Sequence, residues 1–263
     1  MNLFQVEWPA LPASYAPETF EAAVFSCYIG MRKGQETIFR YSDAHFMTCS
    51  VLESMWAKVN SLRFMDELTE MLPGIAEPIP TFLHRHIYQP EPLSTFLDQI
   101  DGWMMDQLSD DLGQGSGFLD EIYAPATDWL VARTFSPDDI EDSPSVYFFR
   151  YQDNLKITWL AEAVQDADDI FPVWHTLGGA YALPFLAFLE EVRQLIKEVH
   201  KTALTRLHQA VVLWPGMVDV EPYIIELNAH KQNWLQQIRQ ASEYRQPPLP
   251  STDWQRIRQL LNL

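Results

Sequence analysis

The spacing of apolar positions changes several times along the chain, and each change marks an expected element. Ala22–Ile29 alternates and is rich in aromatic and small residues, and Thr37–Tyr41 follows the loop Gly30-Met31-Arg32-Lys33-Gly34-Gln35. Two β-prone runs around a glycine-bearing loop predict a hairpin. From Met47 to Met71 the spacing becomes helical. Val51, Met55, Val59, Leu62, Met65, Leu68 and Leu72 recur at helical intervals, on one face of a single helix or of two broken near Asn60-Ser61. Leu72-Pro73-Gly74 ends that run. Prolines at 73, 78, 80, 90 and 92 make residues 73–92 an extended connector. It is either a surface loop or a sub-boundary within what reads as a single α+β domain over residues 1–263.

Ser94 is placed to cap a helix through Phe96, Leu97, Ile100, Trp103, Met104 and Leu108, which runs out into the polar loop Gly113–Gly117. Trp129–Phe135 predicts a short strand. The strongest hairpin signal is Val146–Tyr151 with Leu155–Leu160 around Gln152-Asp153-Asn154, because Asp and Asn tolerate the positive φ of a tight turn. Pro184 then opens a long helix. Its stripe is Phe185, Phe188/Leu189, Val192, Leu195/Ile196, Val199, Ala203 and Leu207, and Trp214-Pro215-Gly216 ends it. A second helix starts near Asp219. A third follows a proline-rich break, with Thr252 and Gln255 at capping-box spacing. No fixed period repeats, which excludes a solenoid. The expected architecture is α+β: a small antiparallel sheet of hairpins packed by long helices, with a helical C-terminal third.

Composition adds that a chain of 263 residues, 47% apolar and 13% aromatic, builds a core without staples and is no disordered acidic tail. Charge is more informative. The formal net charge is −18, and residues 98–169 hold 17 acids against three bases. The clusters are Asp106/Asp110/Asp111, Asp138-Asp139-Ile140-Glu141-Asp142 and Asp166/Asp168/Asp169. Such a balance disfavours nucleic-acid backbones and anionic lipid, which need Lys and Arg to displace counterions. It suits either a solvated face that aids solubility or a docking surface for a basic protein. Cys27 and Cys49 read as reduced thiols. The N-terminus has no basic n-region or long apolar core, and the longest uncharged stretch, Trp174–Leu189, is broken by His175, Gly178, Gly179 and Pro184. A cytoplasmic protein without membrane spans is expected.

Candidate chemistry is sparse. His84-Arg85-His86 would put two imidazoles on one side of an extended strand, but no further ligand completes a metal set. His200 and His208 are eight residues apart on the long helix, too far to share a metal. Asp166-Ala167-Asp168-Asp169 and the 138–142 run lack the central Gly and closing Glu of a calcium loop. Gly113–Gly117 lacks the Lys-Ser/Thr of a phosphate loop, and Ser116 lacks a nucleophile elbow. Trp159, Trp174 and His175 could line a pocket or fill the core. No catalytic residue, metal or cofactor is expected.

Several blocks in fixed order carry a resemblance. They are Ile38-Phe39-Arg40-Tyr41; Leu68-Thr69-Glu70-Met71-Leu72-Pro73 with Glu77-Pro78-Ile79-Pro80; and Tyr123-Ala124-Pro125-Ala126. Then come Val146-Tyr147-Phe148-Phe149-Arg150 with Ile157-Thr158-Trp159, Phe171-Pro172-Val173-Trp174, and Tyr181-Ala182-Leu183-Pro184 leading into Phe188-Leu189-Glu190-Glu191-Val192. Over residues 20–212 the chain resembles an uncharacterised bacterial domain-of-unknown-function family, type 5984. Most of these positions are structural in type, and the family supplies no catalytic residues. The resemblance implies a small acidic protein without enzyme motifs, similar to antitoxins and immunity proteins. The expected function is therefore neutralisation of a basic partner, a cognate toxin, by an acidic surface. That surface comprises Asp138, Asp139, Glu141, Asp142, Asp166, Asp168 and Asp169, with Asp110 and Asp111. The alternatives are a metal-dependent hydrolase reversing a toxin's modification and an inhibitor that mimics nucleic-acid charge.

Overall fold

Strand β2 (Ser26–Lys33) is the hub of the first sheet. One of its edges pairs antiparallel with β1 (Phe4–Glu7), in the register Phe4↔Met31 to Glu7↔Tyr28. Its other edge takes two strands end to end: β3 (Glu36–Ile38) against Met31–Lys33 and β4 (Ala57–Asn60) against Ser26–Ile29. The structure is a computed structural model and describes residues 3–49, 52–87, 90–110, 124–137, 139–140, 143–161, 172–243 and 252–260.

The first hairpin is therefore present but displaced from its expected bounds. Ala22–Phe25 belongs to helix α1 (Phe20–Phe25), because Phe20, Val24 and Phe25 share a helical face that buries all three. Gly30-Met31-Arg32-Lys33 continues the strand, and the turn narrows to Gly34-Gln35, with Gly34 at φ 67. The run from Met47 also departs from expectation. It divides into the end of α2 (Asp43–Thr48), strand β4 and helix α3 (Ser61–Glu70). The open edge of β2 recruits residues 57–60 as a strand, and a backbone ladder outweighs a helical apolar spacing. Asn60, the expected break, is the N-cap of α3; its Oδ1 accepts from the N–H groups of Leu62 (3.0 Å) and Arg63 (3.3 Å).

The proline-rich stretch is helical rather than extended. Leu72–Ala76 forms α4, Thr81–Ile87 forms α5 and Pro90–Asp110 forms α6. Pro73 and Pro90 lie in first turns, where a missing N–H costs nothing. Ser94 accordingly lies inside α6 and is not its cap. His84 and His86 sit on a helix, two positions apart, and face different ways. Residues 129–131 end helix α7 (Ala124–Val131), which leaves Thr134–Phe135 as β5.

The second sheet is an antiparallel meander of β5, β6 (Ser145–Tyr151), β7 (Asn154–Leu160) and β8 (Gly178–Pro184). The expected β6–β7 hairpin is there, in the register Tyr151↔Asn154. Its positive φ of 55° falls on Gln152, not on Asp or Asn. Both faces of the sheet's central strands, β6 and β7, are buried. Val146, Phe148, Leu155, Ile157 and Trp159 enter a core shared with the first sheet, α3, α4, α8 (Phe185–Leu213) and α9 (Glu221–Ser242). Tyr147 and Phe149 enter a second cluster with α5, α6, α7 and α10 (Trp254–Leu260). Phe20, Val24 and Phe25 pack with the end of α8 and the start of α9 in a third. Trp159 and Trp174 are wholly buried core aromatics. At α10, Asp253 rather than Thr252 caps the helix, accepting from the Arg256 N–H at 3.0 Å. Cys27 and Cys49 are free thiols, and no described helix is long and apolar enough to cross a membrane.

Lys156 and Thr158 interrupt the second face of the meander and are 6% and 0% exposed. Desolvation lowers the Lys156 ammonium to about 8 from its ordinary 10.5. Below pH 8 the folded protein bears the full cost of the buried charge. Between pH 8 and 10.5 the unfolded chain holds a proton that the fold has released, so stability rises with pH. The wild type will gain about 3 kcal/mol relative to Lys156→Met across that window. Denaturant unfolding of both chains at pH 7.5 and 10 checks this, and the comparison cancels the opposing titration of Cys27.

An acidic cleft at the end of helix α3

Of the expected docking residues, Asp139 is the one whose side chain the structure describes. It does not stand free. Its Oδ2 accepts from the Asn60 N–H at 2.8 Å and its Oδ1 from Arg63 Nη1 at 3.2 Å. The carboxylate therefore sits at the N-terminus of α3, where the helix dipole favours negative charge. Ile140, beside it, is buried in the main core and anchors this part of the chain. Asp110 is the last residue of α6. Asp138, Glu141, Asp142, Asp111, Asp166, Asp168 and Asp169 lie outside the described residues, as does the Gly113–Gly117 loop.

What the structure brings together instead lies at the other end of the same helix. Glu67 and Glu70, one turn apart, share a face of α3. They border a cleft of about 320 Å³ with Met71 and, opposite, Thr134, Phe135 and Ser136. Phe135 is 2% exposed and packs edge-on against Phe64 with ring centroids 5.0 Å apart, so this wall is rigid. The Ser136 and Ser143 hydroxyls lie 2.8 Å apart and join the two ends of the acidic segment beside the cleft. Gly74 and Ala132 complete the lining. A Cβ on Gly74 would lie 2.4 Å from the Ala132 carbonyl oxygen, so only glycine lets α4 approach the turn after α7 this closely.

The electrostatics of the cleft are unbalanced. Glu67 accepts from Arg63 Nε at 3.0 Å, and Arg63 also reaches Asp139. Glu70 is exposed and in no ion pair among the described residues. Both glutamates occupy the last turn of α3, which has no basic residue. Carboxylates there oppose the helix dipole, at a cost of about 0.3–1 kcal/mol each.

The family of unknown function DUF5984 matches residues 29–260. The chain belongs to the DUF5984 family. No curated protein and no solved structure matches it. The DUF5984 span starts within β2 and ends at the last residue of α10, so it contains every residue of the cleft.

Sequence reasoning missed Glu67, Glu70, Phe135 and Ser136 as a group. The available signal was two acids three residues apart, with no base after them, on the face of α3 opposite its apolar stripe. The histidines have ordinary surroundings. His84 lies 4.0 Å from the Tyr151 ring, and His86 accepts from Arg85 Nε at 3.0 Å; desolvation lowers the pKa of both. His200 pairs with Asn228 at 2.9 Å. Among the described residues, no group of three or more His, Cys, Asp or Glu side chains is placed to hold a metal ion.

Proposed function

We propose that this DUF5984 protein is a cytoplasmic interaction protein that binds and neutralises a basic protein, as an immunity protein does a toxin. It acts by covering the partner's active cleft. The observation that carries this reading is the cleft at the end of α3. There the Glu67 carboxylate, paired with Arg63, and the exposed Glu70 carboxylate stand one turn apart at the end of a helix whose last turn holds no base. The charge distribution supports it, since the segment next to the cleft is the most acidic in the chain. Complementary charge accelerates encounter, and the partly apolar lining supplies contacts that persist after docking.

The test begins with a basic partner recovered stoichiometrically from the native bacterium on the tagged protein. Association rates are then measured across a salt series for wild type, Glu67→Lys/Glu70→Lys, and Asp138→Lys/Glu141→Lys/Asp142→Lys. Asp139 is left in place because it supports α3. Charge reversal at a docking face will slow association by about tenfold or more at low salt and flatten the salt dependence. Unchanged rates in the Glu67/Glu70 variant would remove the cleft from the docking face.

A further inference from the structure

Ten large apolar side chains stand exposed among the described residues, and half of them fall within fifteen consecutive positions at the junction of α8 and α9. They are Val211, Val212, Leu213, Met217 and Ile225; Val212 is 79% exposed, and Met217 and Ile225 are each 63% exposed. We propose that this surface is covered by the same surface of a second copy of the chain, in a two-fold dimer. Such a dimer stands or falls apart from the docking reading above.

The patch is a built surface. Ala203, Leu207 and Ala210 of α8 and Leu227 of α9 enter the third cluster. Val212 follows Ala210 by two residues and Ile225 precedes Leu227 by two, about 200° around a helix, so both point away from that cluster. Leu213 and Met217 carry the surface round the turn between the helices. That turn is fixed: Trp214 is buried in the cluster, its carbonyl accepts from the Met217 N–H at 3.1 Å, and Gly216 takes a positive φ of 74°.

Charge selects the occupant. The chain carries −18, so two copies repel over most of their surface. Leu207–Val218 contains no Asp, Glu, Lys or Arg, and there the copies meet with the least repulsion. A basic partner finds no counter-charge in that span, and an anionic lipid surface repels the acids that follow it, Asp219, Glu221 and Glu226. Area agrees. The five side chains leave roughly 500 Å² uncovered, toward the upper end of what a monomer shows. Doubled, this is about 1,000 Å², the lower limit of a specific interface, and it sets a reversible dimer with a Kd on the order of 10–100 µM. The α3 cleft stays free to dock, because Leu62 at the start of α3 packs on the third cluster whereas Glu70 lies about 12 Å further along the helix.

Sedimentation equilibrium of the full-length protein from about 1 to about 500 µM reads the assembly. A monomer–dimer equilibrium is expected, and it will tighten at least threefold as salt rises from about 0.05 to about 0.5 M, because screening weakens the repulsion between like-charged copies. Val212→Glu/Ile225→Glu, two changes at exposed positions, will weaken the dimer at least tenfold while near-ultraviolet circular dichroism is unaltered. If the glutamates disturb the fold, Val212→Ser/Ile225→Ser must still weaken it at least threefold. Met217 gives a local readout. Its methyl resonance, identified in a ¹³C-methyl-methionine spectrum by its loss in Met217→Leu, will shift with protein concentration while that of Met47, exposed elsewhere on the chain, stays fixed. A monomer throughout, a dimer that ignores the double variants or loosens with salt, or a Met217 resonance that ignores concentration would each overturn the proposal. So would a chain that stays monomeric and floats with phosphatidylcholine vesicles, which would assign the patch to lipid.

Discussion

Arg206→Met will destabilise the protein by about 4 kcal/mol, seen as a lower denaturant midpoint with an unchanged slope. Arg206 is 5% exposed on α8, yet it is not there as a charge partner. Its Nε donates to the Val24 carbonyl at 2.8 Å, Nη2 to that of Ala23 and Nη1 to that of Pro9. Ala23 and Val24 lie in the last turn of α1, whose carbonyls have no acceptor role left inside so short a helix. A guanidinium from α8 thus satisfies the end of α1 from across the fold. The Trp8 ring lies 5.4 Å from its Cζ and contributes a cation–π contact. Methionine keeps most of the stem's volume but leaves three carbonyls unsatisfied, each worth about 1–3 kcal/mol when buried. Partial hydration and relaxation reduce that sum. Arg206→Lys keeps the charge but not the fork, and roughly half the loss is expected. Hydrogen exchange supplies a second readout, because the α1 amides will lose protection before those of β6 and β7. A loss below about 1 kcal/mol would mean that water replaces the guanidinium at all three carbonyls.

Glu77→Ala will cost about 3–4 kcal/mol and release the C-terminal helix. Glu77 Oε2 accepts from Arg133 Nη2 at 3.0 Å and from the Thr252 hydroxyl. Its Oε1 accepts from the Thr252 N–H at 3.3 Å and from Trp254 Nε1 at 3.2 Å. Arg133 is 1% exposed, so removing the carboxylate takes the anionic partner from a buried guanidinium. The same change unfastens α10, whose Trp254 packs edge-on against Trp129 at 5.5 Å and whose Ile257 is buried in the second cluster. Glu77→Gln retains a carbonyl acceptor and should fall between wild type and Ala. Tryptophan emission will redden as Trp254 meets water, and amides 254–260 will exchange faster than those of α8. Full retention of both signals in the Ala variant would show that apolar contacts alone hold α10.

Those two clasps were invisible in the sequence, and the reason is physical. Arg206 and Glu77 look like ordinary helix and loop charges. Their importance arises because Ala23, Val24, Thr252 and Trp254 are brought to them from far along the chain. The β6–β7 hairpin was legible because period-two alternation and a polar turn are local features, and α8 because its stripe runs through a helix of 29 residues. Residues 57–60 carry a helical apolar spacing, and the pairing that makes them a strand belongs to β2, some thirty positions earlier. In residues 73–92 proline does not interrupt, because Pro73 and Pro90 sit in the first turns of helices, a position that composition alone does not distinguish from a break. At the cleft, the excess acid of the neighbouring segment was legible and its partners were not. Asp139 turns inward to α3, while the exposed carboxylate of Glu70 belongs to a helix with nothing unusual in its composition.

The distance between Arg206 and the carbonyls it satisfies also orders events during synthesis. Val24 leaves the ribosome 182 residues ahead of Arg206, and Leu3, whose N–H is accepted by Glu191, leaves 188 residues ahead of that partner. At about 5–20 residues per second the N-terminal sheet waits roughly ten to forty seconds for the side chains that close it. Throughout that interval the apolar face of α1, which packs on the end of α8 and the start of α9, is exposed on a tethered, unfinished chain. This protein is therefore a natural client for ribosome-associated chaperones. A nascent chain arrested before residue 206 should bind them far longer than one released after α8 is complete.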